Sequence, residues 1–198
     1  DAYNVAVGYN AGLAMTTGTE NTIIGGLAGD ALTTGSQNIA IGYAALGSED
    51  TGSRNIAIGR GALGALNNDA NSYNIGIGHS AGAAVTTGIR NVLIGGLAGD
   101  ALTTGGNNIA IGYEALTTED GDGRNIAIGT NSLQNLNAGS DAYNVAVGFA
   151  SGAAMTTGIN NTLIGGQAGD ALTTGGSNVA VGYLALSTED AHGRNVAI

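Results

Sequence analysis

The chain of 198 residues contains no cysteine, proline, tryptophan or lysine. Without cysteine there is neither a disulfide framework nor a thiolate metal centre. Without proline, and without a three-residue period, a collagen-like helix is excluded. Without lysine there is no phosphate-binding P-loop, and Gly59-Arg60-Gly61-Ala62-Leu63-Gly64, though it fits G-x-G-x-x-G, lacks the strand–helix setting and the later acid of a dinucleotide site. Basic residues are scarce: five arginines stand against fifteen acids, a net charge of −10. Nucleic-acid phosphates and anionic membrane surfaces both demand basic clusters, so neither is expected as a partner. No run is long and apolar enough to span a bilayer as a helix, and the amino terminus has no signal-peptide pattern.

What is present is glycine, 37 residues of 198, alongside 43% hydrophobic residues. That apolar share excludes a disordered glycine linker. It consists mainly of Ala, Ile, Val and Leu, small or β-branched side chains that suit thin stacked sheets.

The order of these residues is periodic. NTIIGGLAGDALTTG at 21–35 returns as NVLIGGLAGDALTTG at 91–105 and NTLIGGQAGDALTTG at 161–175. These are one part of a finer repeat in which Asn opens each unit: Asn4, Asn21, Asn38, Asn55, Asn74, Asn91, Asn108, Asn125, Asn144, Asn161, Asn178 and Asn195. The steps are 17, 17, 17 and 19 residues, and then the cycle restarts. Four units, here A to D, make a super-repeat of 70 residues: 4–73, 74–143 and an incomplete 144–198. A triplicate at fixed period points to architecture before catalysis. The chain opens and closes inside repeats, so it is expected to be a single solenoid segment of a longer fibre.

Each unit begins Asn-φ-x-φ with φ mostly Val or Ile, a period of two that predicts a strand. A corner glycine follows: Gly8, Gly25, Gly42, Gly59, Gly78, Gly95, Gly112, Gly129, Gly148, Gly165 and Gly182. Its recurrence predicts positive φ or a close backbone approach. Each unit is then expected to read strand, glycine corner, short second strand, glycine turn. Frequent glycine and the wrong apolar spacing exclude helices. The fold class predicted is all-β, a parallel β-solenoid or β-roll of 17/17/17/19-residue coils, stacked about 4.8 Å apart. The asparagines then form a ladder, expected to bond amide to amide along the axis.

The residue between the two φ positions is expected to face away from the coil interior. It is never polar: Ala6, Ile23, Ala40, Ala57, Leu93, Ala110, Ala127 and Leu163 illustrate it. A strand apolar on both faces needs a second cover, and the simplest is another copy of the chain. These residues are the predicted inter-chain face of a homotrimer.

NVAVGYNAG, NIAIGYAAL and NIAIGYEAL resemble the Gly/Asn repeats of trimeric surface fibres. Two groups carry such repeats: the heads of trimeric autotransporter adhesins, and phage tail fibre arrays that end in an endosialidase-type chaperone domain. The resemblance covers essentially the whole chain. It implies a trimeric β-roll, an extracellular place on a virion or a bacterial surface, and an attachment role aimed at a host or cell-surface glycan or receptor. The chain departs from the adhesin repeats in its 17/17/17/19 spacing.

Other features of the sequence bear on chemistry. Tyr9, Tyr43, Tyr113, Phe149 and Tyr183 follow corner glycines and form a strip suited either to stacking on sugars or to covering the glycine of the next rung. Asp30, Asp100 and Asp170 sit in GGLAGDAL-like runs that partly fit a calcium-binding nonapeptide. They lie four coils apart, however, and calcium needs six to eight oxygens together, so no metal or cofactor is expected. Gly78-His79-Ser80-Ala81-Gly82 fits a nucleophile elbow, but no helix is predicted after it, and His192 lies in a distant loop, so no enzyme is expected. The Thr-Thr pairs (Thr16-Thr17, Thr33-Thr34, Thr86-Thr87, Thr103-Thr104) suggest a flat ice-binding ladder, but units C and D interrupt it and adjacent residues of a strand face opposite ways. Asn160-Asn161-Thr162 is a glycosylation sequon. Glu49-Asp50, Glu119-Asp120 and Glu189-Asp190, with Arg54, Arg124 and Arg194, are expected to be exposed loop pairs.

Overall fold

The computed structural model describes residues 2–121 and 123–198. It is an all-β parallel solenoid of about eleven turns, with one twelve-stranded sheet running in chain order from β1 (Val5–Val7) to β12 (Val196–Ala197). No helix occurs among the described residues. Every pairing is parallel, and the register follows the asparagines: Val5 lies opposite Thr22, Thr22 opposite Ile39, Ile39 opposite Ile56 and Ile56 opposite Ile75.

The corner glycines explain why the coils stack so closely. At Gly95, φ is +130°, a backbone state that residues with a Cβ rarely reach. A Cβ there would also sit 2.5 Å from the carbonyl oxygen of Gly112 in the next coil. At Gly25 the same two conditions hold, with φ +132° and a 2.6 Å approach to the Gly42 carbonyl. Positive φ and backbone contact therefore coincide in this column.

The asparagine column holds the other edge of the strand. Oδ1 of Asn4 accepts from the backbone N–H of Asn21 at 2.8 Å, and the bond recurs up the stack, as from the Asn91 N–H to Asn74 at 2.9 Å. In most coils the Nδ2 group closes its own coil, donating to a carbonyl fourteen residues on, as from Asn21 to Gly35 and from Asn91 to Gly105, both 2.9 Å; in the D coils Asn55 and Asn125 donate instead to Ser53 and Gly123. The predicted amide-to-amide ladder is thus a side chain-to-backbone ladder over most of its length. Amide-to-amide bonds occur at its end, from Asn178 to Asn161 and from Asn195 to Asn178, both 3.0 Å. The reason is geometric: a backbone N–H at the entry to each strand has no strand partner, and the carbonyl of the asparagine below lies within reach.

Among the described residues the predicted second strand is absent. The residues that would build it are turns, because one residue per turn is left-handed. Asn10, Leu27, Ala44, Ser80 and Leu97 have φ between 53° and 59°. The residue before each asparagine is left-handed too, among them Gln37, Arg54, Tyr73 and Arg90. An extended segment cannot pass through such positions.

The facing of the first strand is the reverse of expectation. The predicted inter-chain residues point inward: Ile23, Ala40, Ala57, Leu93, Ala110, Ala127 and Leu163 are fully buried in the coil interior. Ala6, opposite Ile23 in the first coil, shares their face. The Val and Ile on either side point outward. The cause is the width of the coil. Leucines from the turn segments, such as Leu32, Leu46, Leu63 and Leu102, already fill the interior and leave room for a small side chain from the strand. Where unit B brings a large one, glycines make way. A Cβ on Gly82 or Gly99 would come within 2.6 or 2.8 Å of the Leu93 methyls.

The loop carboxylates of unit C divide. Glu49 and Glu119 are buried, not exposed. Glu49 accepts the N–H of Gly52 at 2.7 Å and that of Asn68 at 3.2 Å, so it pins its own loop and the longer loop of unit D above it. Arg54 donates to Gln37 and to the Tyr73 hydroxyl, both at 2.9 Å, and Arg124 pairs with Asp141. Loss of water around Glu49 pushes its carboxyl above the ordinary value, and the two backbone hydrogen bonds pull the other way by less.

Two predictions follow from this packing. Gly95→Ala should destabilise the solenoid by about 3 kcal/mol or more, since strain at φ and backbone overlap add. Gly26→Ala should stay within about 1 kcal/mol, because its Cβ would meet only the Tyr43 ring at 3.6 Å. Thermal or urea denaturation of the two variants checks the contrast, and equal losses would refute it. For Glu49, a folded pKa above the unfolded one means its contribution to stability is fully present below pH 4.5 and is lost as pH rises through the folded value. The stability of the wild type relative to Glu49→Gln should therefore fall over that rise, and a flat difference would contradict the burial argument.

Candidate functional site

The surface of the solenoid is organised in columns that run along its axis. The outward residues of the strands form two columns: Ile39, Ile56, Ile75, Val92, Ile109 and Ile126 in one, Ile41, Ile58, Ile77, Ile94, Ile111 and Ile128 in the other. They continue to both ends, with Thr22 and Thr162 as the polar members. None is buried, and Ile24 and Ile164 are 38% and 40% exposed. Twelve strands at about 4.8 Å span about 53 Å, and three residues of strand about 10 Å, giving a nearly flat apolar strip of about 500 Å². That lies at the upper end of what a monomeric protein leaves in water.

Two further columns border the strip. The entry rim is the residue before each asparagine; the exit rim is the residue after each corner glycine. Together they hold all seven tyrosines, the phenylalanine, all five arginines and His79. Glu20 is the only acidic residue at these positions. The entry rim reads Tyr3, Glu20, Gln37, Arg54, Tyr73, Arg90, Asn107, Arg124, Tyr143, Asn160, Ser177, Arg194, and all twelve are exposed. The exit rim carries the predicted aromatic strip. Tyr43, Tyr113 and Phe149 are 53%, 52% and 60% exposed. Tyr9 and Tyr183 are exposed as well. The rings of Tyr43, Tyr113 and Tyr183 lie against Gly26, Gly96 and Gly166 of the preceding coil. Within each rim, arginine links successive coils along the axis. Arg54 sits over the Tyr73 ring at 5.5 Å, Arg124 over Tyr143 at 5.5 Å and Arg60 over Tyr43 at 5.8 Å. Beside Tyr113, hydrogen bonding to the Glu114 carboxylate raises the phenol above its ordinary value.

An apolar centre edged by Tyr and Arg and depleted of acids is the composition of a protein interface. Sequence reasoning found the exit-rim aromatics but not the entry rim. The available signal was that every arginine and aromatic falls at one of two offsets from an asparagine.

The remaining sequence-predicted positions are scattered. Asp100 is pushed upward mainly by loss of water and secondly by the nearby Glu114, with backbone hydrogen bonds acting against both. Among the described residues, the one group of three side chains able to meet at a metal is Glu189, Asp190 and His192. Asp30, Asp100 and Asp170 belong to no such group. Within that cluster His192 is raised by its 2.8 Å hydrogen bond to Glu189, and Glu189 is lowered chiefly by the His192 backbone N–H. Ser80 lies in a turn after the strand, and the His79 ring faces Arg60 at 3.5 Å. The first threonine of each pair is engaged: the Thr16 and Thr86 hydroxyls donate to the carbonyls of Thr33 and Thr103 at 3.1 and 3.2 Å. A depression of about 480 Å³ lies on the turn side, lined by Leu27, Asp30, Ala44, Gly61 and Ser80 among others. In the next super-repeat Glu114 and Asn131 stand where Ala44 and Gly61 do, and Gln134 and Asn131 donate to Glu114 at 2.8 and 3.4 Å.

No protein-family model matches the chain, and neither a curated protein nor a solved structure is significantly similar to it.

Proposed function

We propose that the chain is a structural segment of an extracellular fibre made of three copies, a phage tail fibre or a bacterial surface adhesin, serving attachment and carrying no catalytic or cofactor-dependent step. The observation that carries this reading is the uncovered Ile/Val strip, continuous over the twelve strands of one parallel sheet. Its residues are mostly hydrophobic without being buried, so the isolated chain leaves this apolar surface in water. Covering it with like chains stabilises each copy and yields a rod whose coils are tied by backbone ladders, a form suited to transmitting force and spacing a tip from a surface. The inter-chain face is thus the Ile/Val pair of each strand and not the Ala/Leu/Ile residue between them.

A second reading rests on the exposed rings of the exit rim: a glycan- or surface-binding module in which Tyr43, Tyr113 and Tyr183 stack on sugars. A glycan array separates the two. Specific binding that disappears with Tyr43→Ala, Tyr113→Ala and Tyr183→Ala supports the module, and no specific binding removes it.

For the fibre, light scattering of the folded chain should give a mass near three times 19.2 kDa. Ile58→Glu with Ile111→Glu should shift the mass toward one copy, because charges on the strip cannot be desolvated between chains. A stable wild-type monomer with β-type circular dichroism would refute the trimer.

A further inference from the structure

The rims address how the copies meet. Around an axis parallel to the solenoid, the entry rim of each copy faces the exit rim of the next. In an antiparallel pair, like rims face each other. In a parallel arrangement with coils in register, the entry-rim and exit-rim residues of the same coil lie at the same height.

At the first D coil this sets Arg54 beside Arg60, an unfavourable match if both side chains stood straight out. They do not. Arg54 leans onto Tyr73 of the following coil, while Arg60 leans back onto Tyr43 of the preceding one. Arg124 likewise leans forward onto Tyr143. The guanidinium of Arg124 therefore stands at the height of the coil that begins at Asn144, whose exit rim carries Phe149. One face of that guanidinium is covered by the Tyr143 ring, and Phe149 is 60% exposed.

We propose that copies of this chain pack parallel and in register, entry rim against exit rim, with the Arg124 guanidinium held between its own Tyr143 and the Phe149 ring of the neighbouring copy. The proposal rests on the self-association put forward above and specifies its geometry. A second copy is the occupant that the surface fits. A partner must present apolar groups at the same axial spacing of about 4.8 Å for about 53 Å, and an identical solenoid does so. The strip with its two rims is about 53 Å by about 20 Å, about 1,000 Å² per chain; shared between two neighbours in a trimer, it buries about 1,000 Å² in total for each pair of copies, the threshold size of a specific interface. Guanidinium against ring is also the pairing this chain already makes along its own rims, so the contact between copies extends a chemistry present within each.

The absence of cysteine makes a direct test simple. Asn107→Cys and Tyr113→Cys put thiols on the two rims of one coil. Five residues of largely extended chain lie between them, too far for a bond within one copy. On oxidation, the double variant should yield covalent species up to the full number of copies, and neither single variant should cross-link. Cross-linking of either single variant shows like rims in contact and overturns the proposal. An assembly of unchanged mass in which the double variant does not cross-link also overturns it, while leaving the fibre reading intact. A monomeric wild type removes both. Within the assembly, Arg124→Gln and Phe149→Ala should each weaken association roughly 2- to 30-fold per contact. Combining them should add little further loss, and full additivity would show that the two residues do not meet.

Discussion

Each coil turns where the carbonyl of the next coil occupies the space a side chain would need. Everything else follows from that exclusion at Gly25, Gly95 and their equivalents. With no Cβ in the way, successive backbones meet at sheet distance on the corner as well as on the strand, and the stack can proceed without interruption. Once the corner is set, the strand can be only three residues long, and the rest of the coil must return through left-handed turns to the next asparagine.

Such a short strand makes the polar edge as important as the apolar one. The asparagines answer this with two bonds each in most coils: one up the stack to a backbone N–H, one across the coil to a carbonyl. They are buried, so a residue without both functions would strand a donor or an acceptor out of water. Glu49 does comparable work where the repeat lengthens, holding the enlarged loop of unit D by two backbone N–H groups. The interior is apolar but small, and its filling alternates between strand and turn. Leu93 enters beside Gly82 and Gly99, whereas alanines in neighbouring coils face leucines from the turns.

That economy inside leaves the larger β-branched residues outside. The sheet presents them as a strip, and the chain concentrates its aromatic and cationic groups along the strip's borders while spreading its acids elsewhere. The surface of the molecule is therefore divided by chemistry. One long side is apolar, aromatic and basic at its margins; the remainder is dominated by turns and carboxylates. A fibre assembled through the first side would show the second to solvent, and its net negative charge would keep fibres apart.

The repeat made much of this legible from residue order alone. Asparagine spacing marked every strand, valine and isoleucine at period two marked its extent, and the recurring glycine marked the corner, because each of these depends on local backbone geometry that identical copies share. The facing of the strand was not legible. Period two places Ile39 and Ile41 on one side and Ala40 on the other, but nothing local says which side is inside. Only the closed coil decides it, since the interior volume left by Leu32, Leu46 and Leu63 admits an alanine and not a pair of isoleucines. The buried setting of Glu49 likewise depends on a loop nineteen residues away in the next coil, a proximity created by stacking and invisible in either segment by itself.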